Sequence, residues 1–123
     1  MLIGLGHDLQ PLQEFSRVEG LWASEVFFTE RELEYIRRAR SPVESLAASF
    51  SGKEALFKAL PAVEGWFWTD AELLRDERHA PFFRFHGALR EHVERQGLQV
   101  KVSISHGGGL VSTVVIVAAA PPH

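Results

Sequence analysis

The run Phe50-Ser51-Gly52-Lys53-Glu54-Ala55-Leu56-Phe57-Lys58-Ala59-Leu60 commits this chain to a long core helix that carries ionisable groups. At 100° per residue, Leu46, Phe50, Lys53, Phe57 and Leu60 fall on one stripe roughly 80° wide. Glu54 and Lys58 lie one turn apart at the edge of that stripe, beside the small residues Ala47 and Ser51. Desolvating a charge is expensive unless it is paired or bound to an ion, so such a border needs a reason. Small neighbours leave room for a ligand. An acid for a metal and an amine for an anion on one rigid helix suit a phosphate-bearing substrate.

The 123 residues are expected to form one domain, over 1–120, with a flexible tail at 121–123. Hydrophobic residues at 46% and charged residues at 24% are the balance of a globular chain, not a disordered one. A net charge of −3 gives no electrostatic footprint for duplex nucleic acid. With no cysteine there can be no disulfide, thiolate metal site or cysteine nucleophile, which fits a reducing compartment. Leu2-Ile3-Gly4-Leu5 has neither the basic region nor the cleavage site of a signal peptide. No apolar run reaches the roughly 18–20 residues of a membrane span. The expectation is a cytoplasmic protein with no membrane or nucleic-acid partner.

Met1–Leu9 reads as a buried strand ending near Asp8, and Pro11 to Gly20 as a short helix with Leu12, Phe15 and Val18 on one face. Thr29-Glu30-Arg31-Glu32 has the form of a capping box opening a helix through Leu33 and Ile36. Ser41-Pro42 breaks that helix, and a long one follows from about Val43 to Leu60, stopped by Pro61. Trp66-Phe67-Trp68 opens a strand-like region through Leu74, then a polar turn at Arg75–His79 and a second aromatic strand at Phe82–Phe85. Ala88 to Gln96 is a helix closed by Gly97. Val100, Val102 and Ile104 alternate with polar residues in a half-exposed strand. After His106-Gly107-Gly108-Gly109, Leu110–Val117 reads as a strand covered on both faces. The fold class is α+β, with strands at both ends of the chain.

Taken singly, the chemical groups leave alternatives open. Asp8 reads as a functional strand-end carboxylate or as a cap for the Pro11 helix. Glu54 and Lys58 stand in the order of a helical ion pair. Lys53 can snorkel its amine out of the core. Backbone NH groups of the glycine loop can approach phosphate, although no helix follows Gly109 and this is no Walker-type loop. His106 can equally be a structural turn residue. The six histidines are scattered without a zinc spacing. Trp66, Phe67, Trp68, Phe82, Phe83 and Phe85 suit a core or subunit interface better than a base-stacking platform.

In chain order, Gly-x-Asp at 6–8, Phe-Thr-x-x-Glu-Leu at 28–33, Phe-x-x-Lys-Glu-Ala-x-x-Lys-Ala-Leu at 50–60, Trp68-Thr69-Asp70-Ala71-Glu72-Leu73 and Val-Ser-Ile-Ser-His at 102–106 resemble the holo-acyl-carrier-protein synthase family. These are small trimeric 4′-phosphopantetheinyl transferases. The resemblance implies an antiparallel sheet with a long helix, assembled as a homotrimer with sites between subunits. It implies coenzyme A as substrate, magnesium as cofactor and an apo acyl carrier protein as partner, in fatty acid or polyketide biosynthesis. Asp8 and Glu54 would hold the metal, and Asp8, Glu54 and Lys58 would carry catalysis. Lys53, Lys58, Ser105 and His106 would contact coenzyme A.

Three positions depart from the family pattern. Glu14 stands where a carrier-docking arginine is usual, Ser49 replaces an arginine, and Pro61-Ala62-Val63-Glu64-Gly65 replaces a glycine-rich turn. A charge reversal at Glu14 would repel an acidic partner helix. These departures suit an active transferase with a non-standard carrier. The alternative is a non-catalytic relative that binds coenzyme A or carrier as an assembly subunit. A third reading is an unrelated metal-dependent nucleotide or phosphoester binder.

Overall fold

The computed structural model describes residues 1–15, 26–60 and 63–120. Strand β1 (Leu2–Pro11) leads into a one-turn helix α1 (Leu12–Phe15), whose first amide donates to the Gly109 carbonyl at 2.9 Å. Helix α2 (Glu30–Arg38) and the long helix α3 (Pro42–Ala59) follow. A 3₁₀ turn (Trp68–Asp70) precedes β2 (Ala71–Arg75) and β3 (Pro81–Phe85). Helix α4 (Gly87–Arg95) and strands β4 (Leu98–Gly107) and β5 (Leu110–Ala119) complete the chain. One antiparallel sheet has the order β1-β5-β4, and β2 and β3 form a separate hairpin. Beyond Phe15, the expected Pro11–Gly20 helix lies outside the described residues, as do Pro61 and the tail at 121–123.

Helix α3 is the axis of the molecule. Pro42 occupies its first turn, where a missing N–H costs nothing, and Leu60 caps its end in extended backbone. One apolar cluster gathers Ala55, Leu56 and Ala59 with Leu73, Leu89, Val115 and Val117. Another gathers Leu46, Ala47 and Ala48 with Phe28, Leu33, Ile36 and Val111. The single stripe expected from periodicity is therefore too narrow. Leu46, Ala47, Ala55 and Leu56 are all fully buried, whereas Phe57, placed in the stripe, is 58% exposed.

The sheet meets α3 through glycine. A Cβ on Gly4 would lie 1.8 Å from the Ala59 carbonyl oxygen, and one on Gly6 would lie 1.9 Å from that of Ala55. No side chain fits there, so the helix backbone sits directly on the strand. Side chains alternate along β1, so Asp8 faces α3 with Gly4 and Gly6. Ile3, Leu5 and Leu9 face away and are 41–61% exposed. The expected burial of β1 and the two-sided covering of β5 thus hold on one face only. On the open face, Leu110 and Ile116 of β5 are each 41% exposed.

Two local differences have simple causes. Trp66–Trp68 is not a strand, because the Asp70 carboxylate accepts the Phe67 amide at 3.1 Å and tightens the chain into the 3₁₀ turn. The β4–β5 loop is a two-residue turn, with Gly108 at φ 60° and Gly109 at φ 77°, a conformation that side chains disfavour. Gly6→Ala should destabilise the protein by roughly 3 kcal/mol or more. Gly107→Ala, where an added Cβ meets nothing within 4 Å, should stay within about 0.5 kcal/mol. Urea unfolding of the two variants checks this contrast.

Candidate functional site

Asp8 is carried into the β1–α3 cleft by strand parity and is only 6% exposed. Its Oδ2 accepts from Gln10 Nε2 at 2.9 Å, and its Oδ1 lies 3.4 Å from Lys58 Nζ. The Lys58 amine also donates to the His7 carbonyl at 3.0 Å, and the Ser51 hydroxyl reaches the Asp8 carbonyl at 3.5 Å. Asp8 is no helix cap in this arrangement. Glu54 stands beside it at the cleft edge, half-buried. Burial pushes its carboxyl above the usual range, the Asp8 charge adds to this, and Lys58 opposes it in part.

These groups form two carboxylates that repel one another, with an amine alongside. Across the strand pair from Asp8 is Thr113. Its hydroxyl is fully buried and has no hydrogen-bond partner among the described residues. Magnesium takes one or two carboxylates and fills the rest of its shell with water and substrate oxygens. Two facing carboxylates and an orphaned hydroxyl fit that ion's chemistry. Among the described residues, no three His, Asp or Glu side chains converge on one point.

Lys53 is a correction. Neither snorkelling nor facing a ligand, it is 1% exposed. Its amine donates to Glu32 Oε1 at 2.7 Å, to the Trp68 carbonyl at 3.1 Å and to the Phe27 carbonyl. The ammonium also lies 5.0 Å from the Phe28 ring centroid. Glu32 closes the expected capping box with Thr29 and also accepts the Leu73 amide at 3.1 Å. Burial lowers the Lys53 pKa and raises that of Glu32, while their mutual attraction opposes both shifts. The pair therefore ties α2, α3 and β2 together.

His106 lies elsewhere. Its Nε2 is 3.1 Å from Glu44 Oε1 in the first turn of α3. Glu44 and Glu54 are ten residues apart, about 15 Å along a helix axis. Around His106 a cavity of about 430 Å³ is lined by Tyr35, Arg40, Ser41, Glu44 and Arg75, among others. Ser105 is exposed on the opposite, outer face of β4 and does not join His106. Glu14 is exposed on α1, whereas Ser49 is only 6% exposed and lies inside the chain.

The profile of the 4′-phosphopantetheinyl transferase superfamily matches residues 4–114. The chain belongs to that superfamily. It is 38% identical over 120 residues to a holo-[acyl-carrier-protein] synthase of Streptomyces avermitilis, covering 94% of this chain and 96% of the relative. The synthase of Leifsonia xyli is 38% identical over 123 residues, with the same coverage. The crystal structure of the Neisseria meningitidis synthase superposes with a TM-score of 0.85 at 27% identity, covering 96% of this chain and 99% of that one. The expected family and α+β fold both hold.

The cleft and the His106 cavity hold residues that sequence reading missed. Gln10 shares strand parity with Asp8, which was the available signal. Arg40 and Arg75 come to line one cavity with His106 only in three dimensions. Lys53→Met should cost about 3–5 kcal/mol by stranding the buried Glu32 carboxylate. Adding Glu32→Gln should recover much of the loss, as measured by chemical denaturation. Asp8→Asn should move the Glu54 pKa down toward its usual value without reaching it, because burial is the larger cause. Carboxyl-carbon NMR titration checks that shift.

Proposed function

We propose that this chain transfers the 4′-phosphopantetheine arm of coenzyme A to a serine of an apo acyl carrier protein, releasing adenosine 3′,5′-bisphosphate. The observation that carries this reading is the Asp8–Glu54–Lys58 cleft, built on a chain that matches the superfamily over residues 4–114. Asp8 and Glu54 would hold magnesium. When bound, the ion neutralises pyrophosphate charge. Lys58 adds a mobile ammonium at the cleft mouth, half exposed and able to turn from Asp8 to a phosphate oxygen. The serine oxygen bonds to phosphorus as the bond to the bisphosphate breaks. The serine proton passes to a carboxylate of the Asp8–Glu54 pair or to a water that it holds. Positioning and charge neutralisation supply most of the rate, as in phosphoryl transfer generally.

The cavity at Arg40, Arg75 and His106 suits the charged bisphosphate end of coenzyme A. It lies about 15 Å along α3 from Glu54 in the same chain. A site joining one subunit's carboxylates to a neighbour's basic cavity accounts for both halves. The open apolar face of β1 and β5 offers the surface for such an assembly, a homotrimer. Such a protein acts in the cytoplasm, where coenzyme A and carrier proteins meet. No helix among the described residues is long and apolar enough to cross a membrane.

Glu14 is the observation behind a second reading, a relative that binds coenzyme A or carrier without transfer. Mass spectrometry of apo carrier proteins after incubation with coenzyme A and magnesium separates the two. A gain of roughly 340 Da, the mass of the phosphopantetheine arm, is expected on the carrier serine. Asp8→Asn or Glu54→Gln should each cut the rate by at least a hundredfold. Coenzyme A binding with no mass gain on any carrier would favour the second reading. Activity per chain should fall on dilution in step with the trimer population seen by sedimentation, and fully active monomers would remove the shared-site proposal.

A further inference from the structure

Along α3 the two apolar clusters are separated by an interval. Leu46, Ala47 and Ala48 belong to one, and Ala55, Leu56 and Ala59 to the other. On β5 the same division falls between Val111 and Val115. Three polar residues stand in the interval, one from each element: Ser51 on α3, Thr113 on β5 and Asp8 on β1. They are 0%, 0% and 6% exposed, respectively. Ile104, which pairs with Thr113 from β4, packs against both clusters. The seam is thus polar within and apolar on either side.

Packing gives no reason for a threonine here. The inward row of β5 is Val111, Thr113, Val115 and Val117, all fully buried. Valine has the branched shape of threonine and would pack as its neighbours do. The hydroxyl adds a cost, because it is buried and bonds nothing among the described residues. Register shows what it stands beside. Gly4 and Gly6 pair with Val117 and Val115, whereas Asp8 pairs with Thr113. Directly paired side chains share one face, with Cβ atoms about 4.5–5.5 Å apart. At that spacing, polar groups that do not bond directly are bridged by one water. Gln10 donates to Asp8 Oδ2, and Lys58 Nζ lies 3.4 Å from Oδ1. A carboxylate has about four acceptor positions, so capacity remains toward Thr113.

Resting on the transferase reading above, we propose that Thr113 is a positioning residue of the metal site. Its hydroxyl accepts a hydrogen bond from a water of the magnesium shell, and that water's other hydrogen goes to Asp8. Magnesium keeps several waters when one or two carboxylates hold it. Side chains that bond such outer ligands fix the carboxylate's orientation and strengthen the site. The hydroxyl is satisfied with the ion bound and unsatisfied without it. One atom therefore opposes stability in the metal-free protein and favours affinity for the metal.

The test reads stability and metal affinity separately on the full chain. Thr113→Val deletes the hydroxyl and keeps the shape, whereas Thr113→Ser keeps the hydroxyl and deletes the methyl. Magnesium binding is followed by calorimetry with coenzyme A present and no carrier, and unfolding by urea without metal. Thr113→Val should weaken magnesium binding about tenfold while raising the urea midpoint. Thr113→Ser should lower the midpoint through the lost methyl and keep an affinity close to the parent's. In carrier modification, half-maximal turnover of Thr113→Val should need about tenfold more magnesium, and excess magnesium should reverse the loss. Unchanged magnesium affinity in Thr113→Val overturns the proposal and leaves the transferase reading standing. Affinity that falls in step with stability in both variants makes Thr113 a packing residue and also overturns it. A parent protein that neither binds magnesium nor modifies any carrier removes the transferase reading, and this role with it.

Discussion

The contact between the β1 backbone and the carbonyl oxygens of Ala55 and Ala59 sets where every group in the cleft stands. At Gly4 and Gly6 the strand and helix approach so closely that only hydrogen atoms separate them. Weak Cα–H to carbonyl contacts of this kind add little energy singly. Their value here is metric. Ala59 lies over Gly4, Ala55 over Gly6, and Ser51 reaches the Asp8 carbonyl, so strand and helix run past one another in step. Glu54 and Lys58 each precede one of the seated alanines. The carboxylate and the amine therefore inherit their distance from Asp8 from backbone packing rather than from side-chain chance.

A buried ion pair holds the other side of the same helix. Lys53 and Glu32 have side chains 2% and 0% exposed. Taking such charges out of water costs several kcal/mol per ion, and an apolar pair of equal volume would often be as stable. What the charges add is direction. One ammonium fixes two backbone carbonyls and a carboxylate, and that carboxylate fixes the amides of Thr29 and Leu73. Lys53 is the immediate neighbour of Glu54. Rigidity on one side of α3 is thus delivered to the chemistry on the other.

Much of this was legible in the sequence. The capping box at Thr29, the break at Ser41-Pro42, the turn at Gly97 and the period-two pattern of β4 each depend on local rules, and each was met. Motif order singled out Asp8, Glu54 and Lys58, and the fold brings the three side chains to one cleft. Burial around α3 was not legible, because a helix that packs a sheet on one face and a hairpin and a second helix on others shows no single stripe. Lys53 was misread for the same reason. Its partner, Glu32, is twenty-one residues away and looked fully employed as a cap. The open faces of β1 and β5 could not be separated from buried ones by composition, since a subunit interface and a core use the same residues.

Asp8 owes its place to parity, and parity has a consequence for how this protein can change over evolutionary time. Connections such as the β2–β3 turn can lengthen, shorten or change composition while the strand and helix keep their seat. Between Gly4 and Asp8 no such freedom exists. One residue inserted or removed there would turn the carboxylate to the opposite side of the sheet and bring a bulky side chain against α3. The first strand is therefore free to alter its spelling on the outward positions but not its length, and lineages of this fold can diverge only by substitution there.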